Sequence, residues 1–171
     1  PDSNYEEIRY EGYGPDGIAI IIEAMTNNKN RTAAEIRSAF NRFGGNLGEV
    51  GSVSYSFKRF GAITLDKNFA KEDELFTFLV DNESEDLEVN ENDYVIYCKQ
   101  NDLHTLNEKI IERFGKTTSS QLTWKSGSNI DVDKSTAEKI FKLLDTLEEN
   151  DDVQSVSSNF EVSDEIMNQL T

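Results

Sequence analysis

The chain has 171 residues and a formal net charge of −16, a length that suits one large domain or two small ones. Isoleucine, leucine, valine and phenylalanine make up about a quarter of it, above the roughly 20% floor below which a charged chain stays disordered. The longest apolar run, Ile18 to Ile22, is strand-sized and far short of a membrane helix, and the lone Cys98 permits neither an internal disulfide nor a cysteine metal cluster.

Taken in order, Ile8 to Glu11 reads as an edge strand leading into a turn at Gly12 to Gly17. Residues 17–24 form an apolar run bounded by turn residues, the pattern of a central strand. Thr32-Ala33-Ala34-Glu35 has the form of a capping box, and Ile36, Ala39, Phe40 and Phe43 follow at helical spacing up to Gly44-Gly45. Ser52 to Lys58 alternates, with Val53, Tyr55 and Phe57 on one face, which predicts a strand with one buried side. Gly61 to Leu65 is a further strand, 71–80 a short helix, Leu87 to Val89 with Tyr94 to Cys98 a hairpin, 103–114 a helix and Ser119 to Lys125 a strand. A short strand at Asn129 to Val132 precedes a second capping box, Ser135-Thr136-Ala137-Glu138. A helix then carries Ile140, Phe141, Leu144 and Leu147, and Val153 to Phe160 returns as a strand.

Residues 61–126 thus read strand, helix, strand, strand, helix, strand, the split βαβ order. The flanking pieces repeat that order around the insertion. The expectation is an α+β fold of two ferredoxin-like modules, residues 61–126 inserted into a discontinuous domain of residues 1–60 plus 127–171. Each module lays two helices on one face of a small antiparallel sheet.

Charge separates these parts. Residues 1–60 carry a net charge of −1, residues 61–127 of −7 and residues 128–171 of −8. Most of the first part's cations, Lys29, Arg31, Arg37, Arg42, Lys58 and Arg59, fall in one stretch that also holds Asn30. They are either ordinary solvated charges or a contact surface for nucleic-acid phosphate. The acidic majority repels nucleic acid over a Debye length, so any such contact rests on this stretch. Arg37 and Arg42 lie off the Ile36/Phe40 face of their helix. Phe60 can stack on a base or fill the joint between modules.

Catalysis has little footing. His104 with nearby Asp102 lacks the partners of a triad or metal site, and Cys98 reads as a buried structural thiol. Glycines 44, 45, 48 and 51 lead into a strand and lack the lysine and hydroxyl of a phosphate loop. Paired acids such as Asp151-Asp152 have no calcium-loop spacing. No enzyme, cofactor, metal or membrane role is expected.

Residues 5–15, Tyr-Glu-Glu-Ile-Arg-Tyr-Glu-Gly-Tyr-Gly-Pro, resemble the start of the second domain in the YebC family. So do residues 27–53, with Asn-Arg-Thr-Ala-Ala-Glu-Ile-Arg, Gly-Gly-Asn-Leu-Gly and Gly-Ser-Val. Asp151-Asp152-Val153-Gln154 with Asn159 resembles its closing strand. The resemblance implies a third domain inserted in the second and a basic N-terminal helical domain absent from this sequence. The chain begins at Pro1 without methionine or targeting segment, so a processed or truncated piece is expected. The resemblance also implies a role either as a DNA-binding transcriptional regulator or on the ribosome, as in the mitochondrial translational activator of cytochrome c oxidase. It brings no catalytic residues. The expected partners are ribosomal RNA, DNA or the ribosome, with basic proteins as an alternative for an acidic scaffold. The expected setting is a monomer in the bacterial cytoplasm, ahead of the mitochondrial matrix.

Overall fold

The computed structural model describes residues 4–170. In chain order its elements begin with β1 (Glu6–Tyr13), β2 (Ala19–Thr26), α1 (Lys29–Arg42), β3 (Asn46–Leu47), β4 (Phe57–Asp66), α2 (Glu72–Val80), β5 (Asp86–Val89) and β6 (Asp93–Lys99). They continue with α3 (Leu103–Phe114), β7 (Ser119–Ser126), β8 (Ile130–Asp131), α4 (Lys134–Glu148), β9 (Val153–Ser158), β10 (Phe160–Glu161) and α5 (Asp164–Leu170). The architecture is α+β. The residues up to Lys58 and those from Lys125 onward form one compact unit, and Arg59–Trp124 form a second.

In the first unit β1 and β2 make an antiparallel hairpin, with Tyr10 opposite Ile22 and Glu11 opposite Ile21. The sheet order is β3-β1-β2-β9, and every pairing is antiparallel. Strand periodicity sends Ile20 and Ile22 to one face, where they pack with Ile36 and Phe40 of α1 and with Ile140, Leu143 and Leu147 of α4. Phe141 and Phe160 meet edge to face at 5.4 Å beside this core.

Several local expectations change here. β1 is an interior strand, lying between β3 and β2. Residues 52–56 form a turn and a short 3₁₀ segment, and the strand starts only at Phe57. The strand expected at 129–132 shrinks to β8, which pairs in parallel with β10 outside the main sheet. β1 thus occupies the position next to β2 where the split βαβ order would place its third strand. α5 had no counterpart in the sequence pattern.

Both helix starts differ from the capping boxes. Asn28 caps α1, its Oδ1 accepting from Arg31 N at 3.1 Å. Asp133 caps α4, accepting from Thr136 N at 2.8 Å. Short polar side chains four residues before Thr32 and two before Ser135 took the role these were assigned.

The second unit has sheet order β5-β6-β4-β7, with β6 antiparallel to both β4 and β5. Its core joins Ile63, Leu65 and Ile96 of the sheet to Leu75 of α2 and to Leu106 and Ile110 of α3. Phe78 and Phe114 pack edge to face at 5.2 Å. Cys98 is fully buried, and burial, with Asp102 and Glu85 nearby, pushes its thiol up to about 11.

Candidate nucleic-acid interface

α1 carries five of the seven expected contact residues. At about 100° per residue, Arg31 and Arg42 fall on one flank of this helix and Arg37 about 120° or more away on the other. The buried stripe of Thr32, Ile36, Ala39 and Phe40 lies between the flanks. All three arginines are exposed, as are Lys29 and Asn30.

The cations at the start of α1 already have partners. Lys29 Nζ lies 3.2 Å from Glu6. Arg31 donates to Asp152 Oδ2 at 2.9 Å and lies 3.4 Å from Glu35. Behind it, the buried Thr32 hydroxyl sits 2.8 Å from both Thr26 Oγ1 and Asp152 Oδ2 and 3.2 Å from Asn28 O. Asp152 in turn offers its backbone carbonyl to Met25 N at 2.8 Å. The Arg31 hydrogen bond holds the Asp152 carboxyl below its ordinary range, and Thr32 and Thr26 add to this against a smaller effect of burial. This corner therefore ties α1 to the end of β2 and the turn before β9.

Farther along, Arg42 lies over the Phe43 ring at 5.2 Å. Among the described residues no carboxylate ion pair involves Arg37, Arg42 or Lys58. Lys58 is exposed in the first unit. Arg59 belongs to the second, half-buried with its guanidinium over the Trp124 ring at 4.7 Å. Phe60 is half-buried in β4, opposite Lys99 of β6.

A second locus escaped the sequence pattern. Glu11 points to the sheet face opposite α1 and α4 and is fully buried. Its Oε1 accepts the amides of Val53 at 3.1 Å and Ser54 at 2.7 Å, and its Oε2 accepts from Arg9 Nε at 2.9 Å. Burial works to raise this carboxyl, but the amides of Gly51, Ser54 and Val53 and the Arg9 guanidinium outweigh it and hold it at about 2. The loop thus pinned buries Val53 and leaves Tyr55, expected on the buried face, 81% exposed. Tyr13, on the same face as Glu11, donates to Ser52 O at 3.1 Å. Burial raises its phenol, as do the charge and hydrogen bond of Tyr55. The one sequence signal for this locus was a charge at position 11, in a strand whose hairpin partner is apolar.

His104 is exposed on α3, 3.9 Å from Glu108. Among the described residues no three His, Cys, Asp or Glu side chains gather to hold a metal ion. No helix among them is long and apolar enough to cross a membrane.

A transcriptional-regulator family model described as "TACO1/YebC second and third domain" matches residues 5–160. The crystal structure of a conserved hypothetical protein from Aquifex aeolicus superposes with a TM-score of 0.92 at 40% identity. That match covers 96% of this chain and 68% of the Aquifex chain.

Proposed function

Because the chain belongs to the TACO1/YebC family, we propose that it works without catalysis in translation control in the cytoplasm, contacting ribosomal RNA. The family is of a regulatory type. What supports the finer reading is the state of the cations. Lys29 and Arg31 are engaged by carboxylates, leaving Arg37, Arg42 and Lys58 as dispersed positive charges on a chain of net charge −16. Duplex DNA binding needs clustered cations that release many counterions at once. Folded ribosomal RNA accepts scattered phosphate contacts helped by stacking on exposed aromatic side chains such as Tyr55.

The test sets ribosome co-sedimentation beside a mobility shift with duplex DNA, both at physiological salt. Co-sedimentation with no nanomolar DNA shift is the expected result. A nanomolar shift without ribosome association overturns the reading in favour of operator binding, the alternative suggested by the transcriptional-regulator family.

A further inference from the structure

The second unit carries an open apolar groove with an acidic rim. Glu72, Phe76 and Val80 follow at i, i+4 and i+8 and share one stripe of α2. Phe76 is 59% and Val80 68% exposed. Facing them, β5 contributes Leu87 and Val89, and the groove between encloses about 420 Å³. Leu79 of its lining is buried, so the walls are anchored in the unit's own core. β5 is the outermost strand of its sheet, which leaves room for a segment to lie alongside.

Two exposed apolar side chains on consecutive turns of one helix leave water-facing hydrocarbon that a partner would cover. The charge around them says which partner. Glu72, Glu85 and Asp86 line the groove, and no lysine or arginine does. They sit in a segment, residues 61–127, of net charge −7. A phosphate backbone would be repelled here. A cationic chain is drawn in at long range and then fixed by burial of an apolar anchor.

We propose that the α2/β5 groove binds an extended protein segment rich in lysine and arginine, one of whose apolar side chains packs on Phe76 and Val80. This surface is independent of the nucleic-acid contact proposed above, because it rests on different residues and the opposite charge.

The experiment uses the whole chain and a short fluorescent peptide alternating leucine and lysine, with a leucine–glutamate twin as control. The lysine peptide should bind with marked salt dependence, and the glutamate twin should not bind. Phe76→Ser should weaken binding by about tenfold or more without changing the melting temperature, since Phe76 is exposed. Glu85→Gln with Asp86→Asn should weaken it and flatten the salt dependence. The equal charge change Glu148→Gln with Glu149→Gln, in the other unit, should leave it unchanged. Equal weakening by that remote pair, an unaffected Phe76→Ser variant, or binding of the glutamate twin overturns the proposal. So does a concentration-dependent dimer lost in Phe76→Ser, which would assign the groove to a second copy.

Discussion

Glu11 and Ser54 are 43 positions apart, yet the Glu11 carboxylate accepts the Ser54 amide at 2.7 Å from a fully buried position. Together with the Val53 contact, this bond takes two backbone donors that would otherwise serve a sheet ladder. The loop is fixed as a turn, and Tyr55 is turned out to solvent. A single carboxylate thus sets the shape of one surface of the first unit.

Glu11 should make the protein sensitive to acid. Its folded value of about 2 lies below the ordinary 4.5, so its contribution is complete above pH ~4.5 and is lost as pH falls toward 2. That contribution amounts to up to about 3 kcal/mol at neutral pH. Glu11→Gln keeps an acceptor oxygen but loses the charge. Urea unfolding should show it weaker by about 2–3 kcal/mol at pH 7, with a shallower loss of stability between pH 4.5 and 2, the remainder coming from carboxyls such as Asp152 that are also held below their ordinary range. A wild-type-like pH slope in the variant would remove Glu11 as the cause.

The same residue explains where the sequence pattern fell short. Alternation at Ser52 to Lys58 is a sound strand signal, but it registers only side-chain polarity. It cannot register a distant carboxylate competing for the amides, so Val53 and Phe57 are buried as expected while Tyr55 is not. Thr32 shows a similar limit. Asn28 reached the Arg31 amide first, and the threonine hydroxyl turned inward to Thr26 and Asp152. The elements of 61–126 were legible because their periodicity and their turns agree with one another. On α1 the charges were legible as residues. Their ion pairs were not, since Asp152 lies 121 positions from Arg31.

Thr32→Val should cost about 1–3 kcal/mol despite near-identical volume. It removes the one hydroxyl shared among Thr26, Asn28 and Asp152 in a buried corner. Arg31→Ala should cost less than Thr32→Val, because its pair with Asp152 is half open to solvent. Thermal unfolding of the two variants gives the order directly. A larger loss from Arg31 would mean that the ion pair, and not the hydroxyl, holds α1 to the turn before β9.

Phe40 is fully buried between α1 and the sheet, and Phe40→Ala should destabilise by about 3–5 kcal/mol. The glycines beside it are set by close backbone approach first and by that ring second. A Cβ on Gly45 would stand 2.5 Å from Tyr13 O and 3.1 Å from the Phe40 ring, so Gly45→Ala should cost about 1–3 kcal/mol through forced displacement. Denaturant midpoints would check both values. A loss under 1 kcal/mol at Phe40 would mean that the site collapses around the missing ring.

The cations should separate by function according to their partners. Arg31 is raised further from its already high value, first by its hydrogen bond to Asp152, and it must leave that carboxylate to reach a phosphate. Arg37, Arg42 and Lys58 have no such competitor among the described residues. Alanine at each of these three should reduce ribosome co-sedimentation more than alanine at Arg31, and neutralising any of them should lower the salt dependence. Tyr55→Ala tests the other half of the contact. Its side chain is exposed, so stability should change by less than about 0.5 kcal/mol, while a stacked base would be lost at about 1–3 kcal/mol of affinity. Tyr55→Trp should retain the affinity, because stacking needs only an aromatic face. Equal losses from alanine and tryptophan would point to the hydroxyl and its contact with Tyr13 instead.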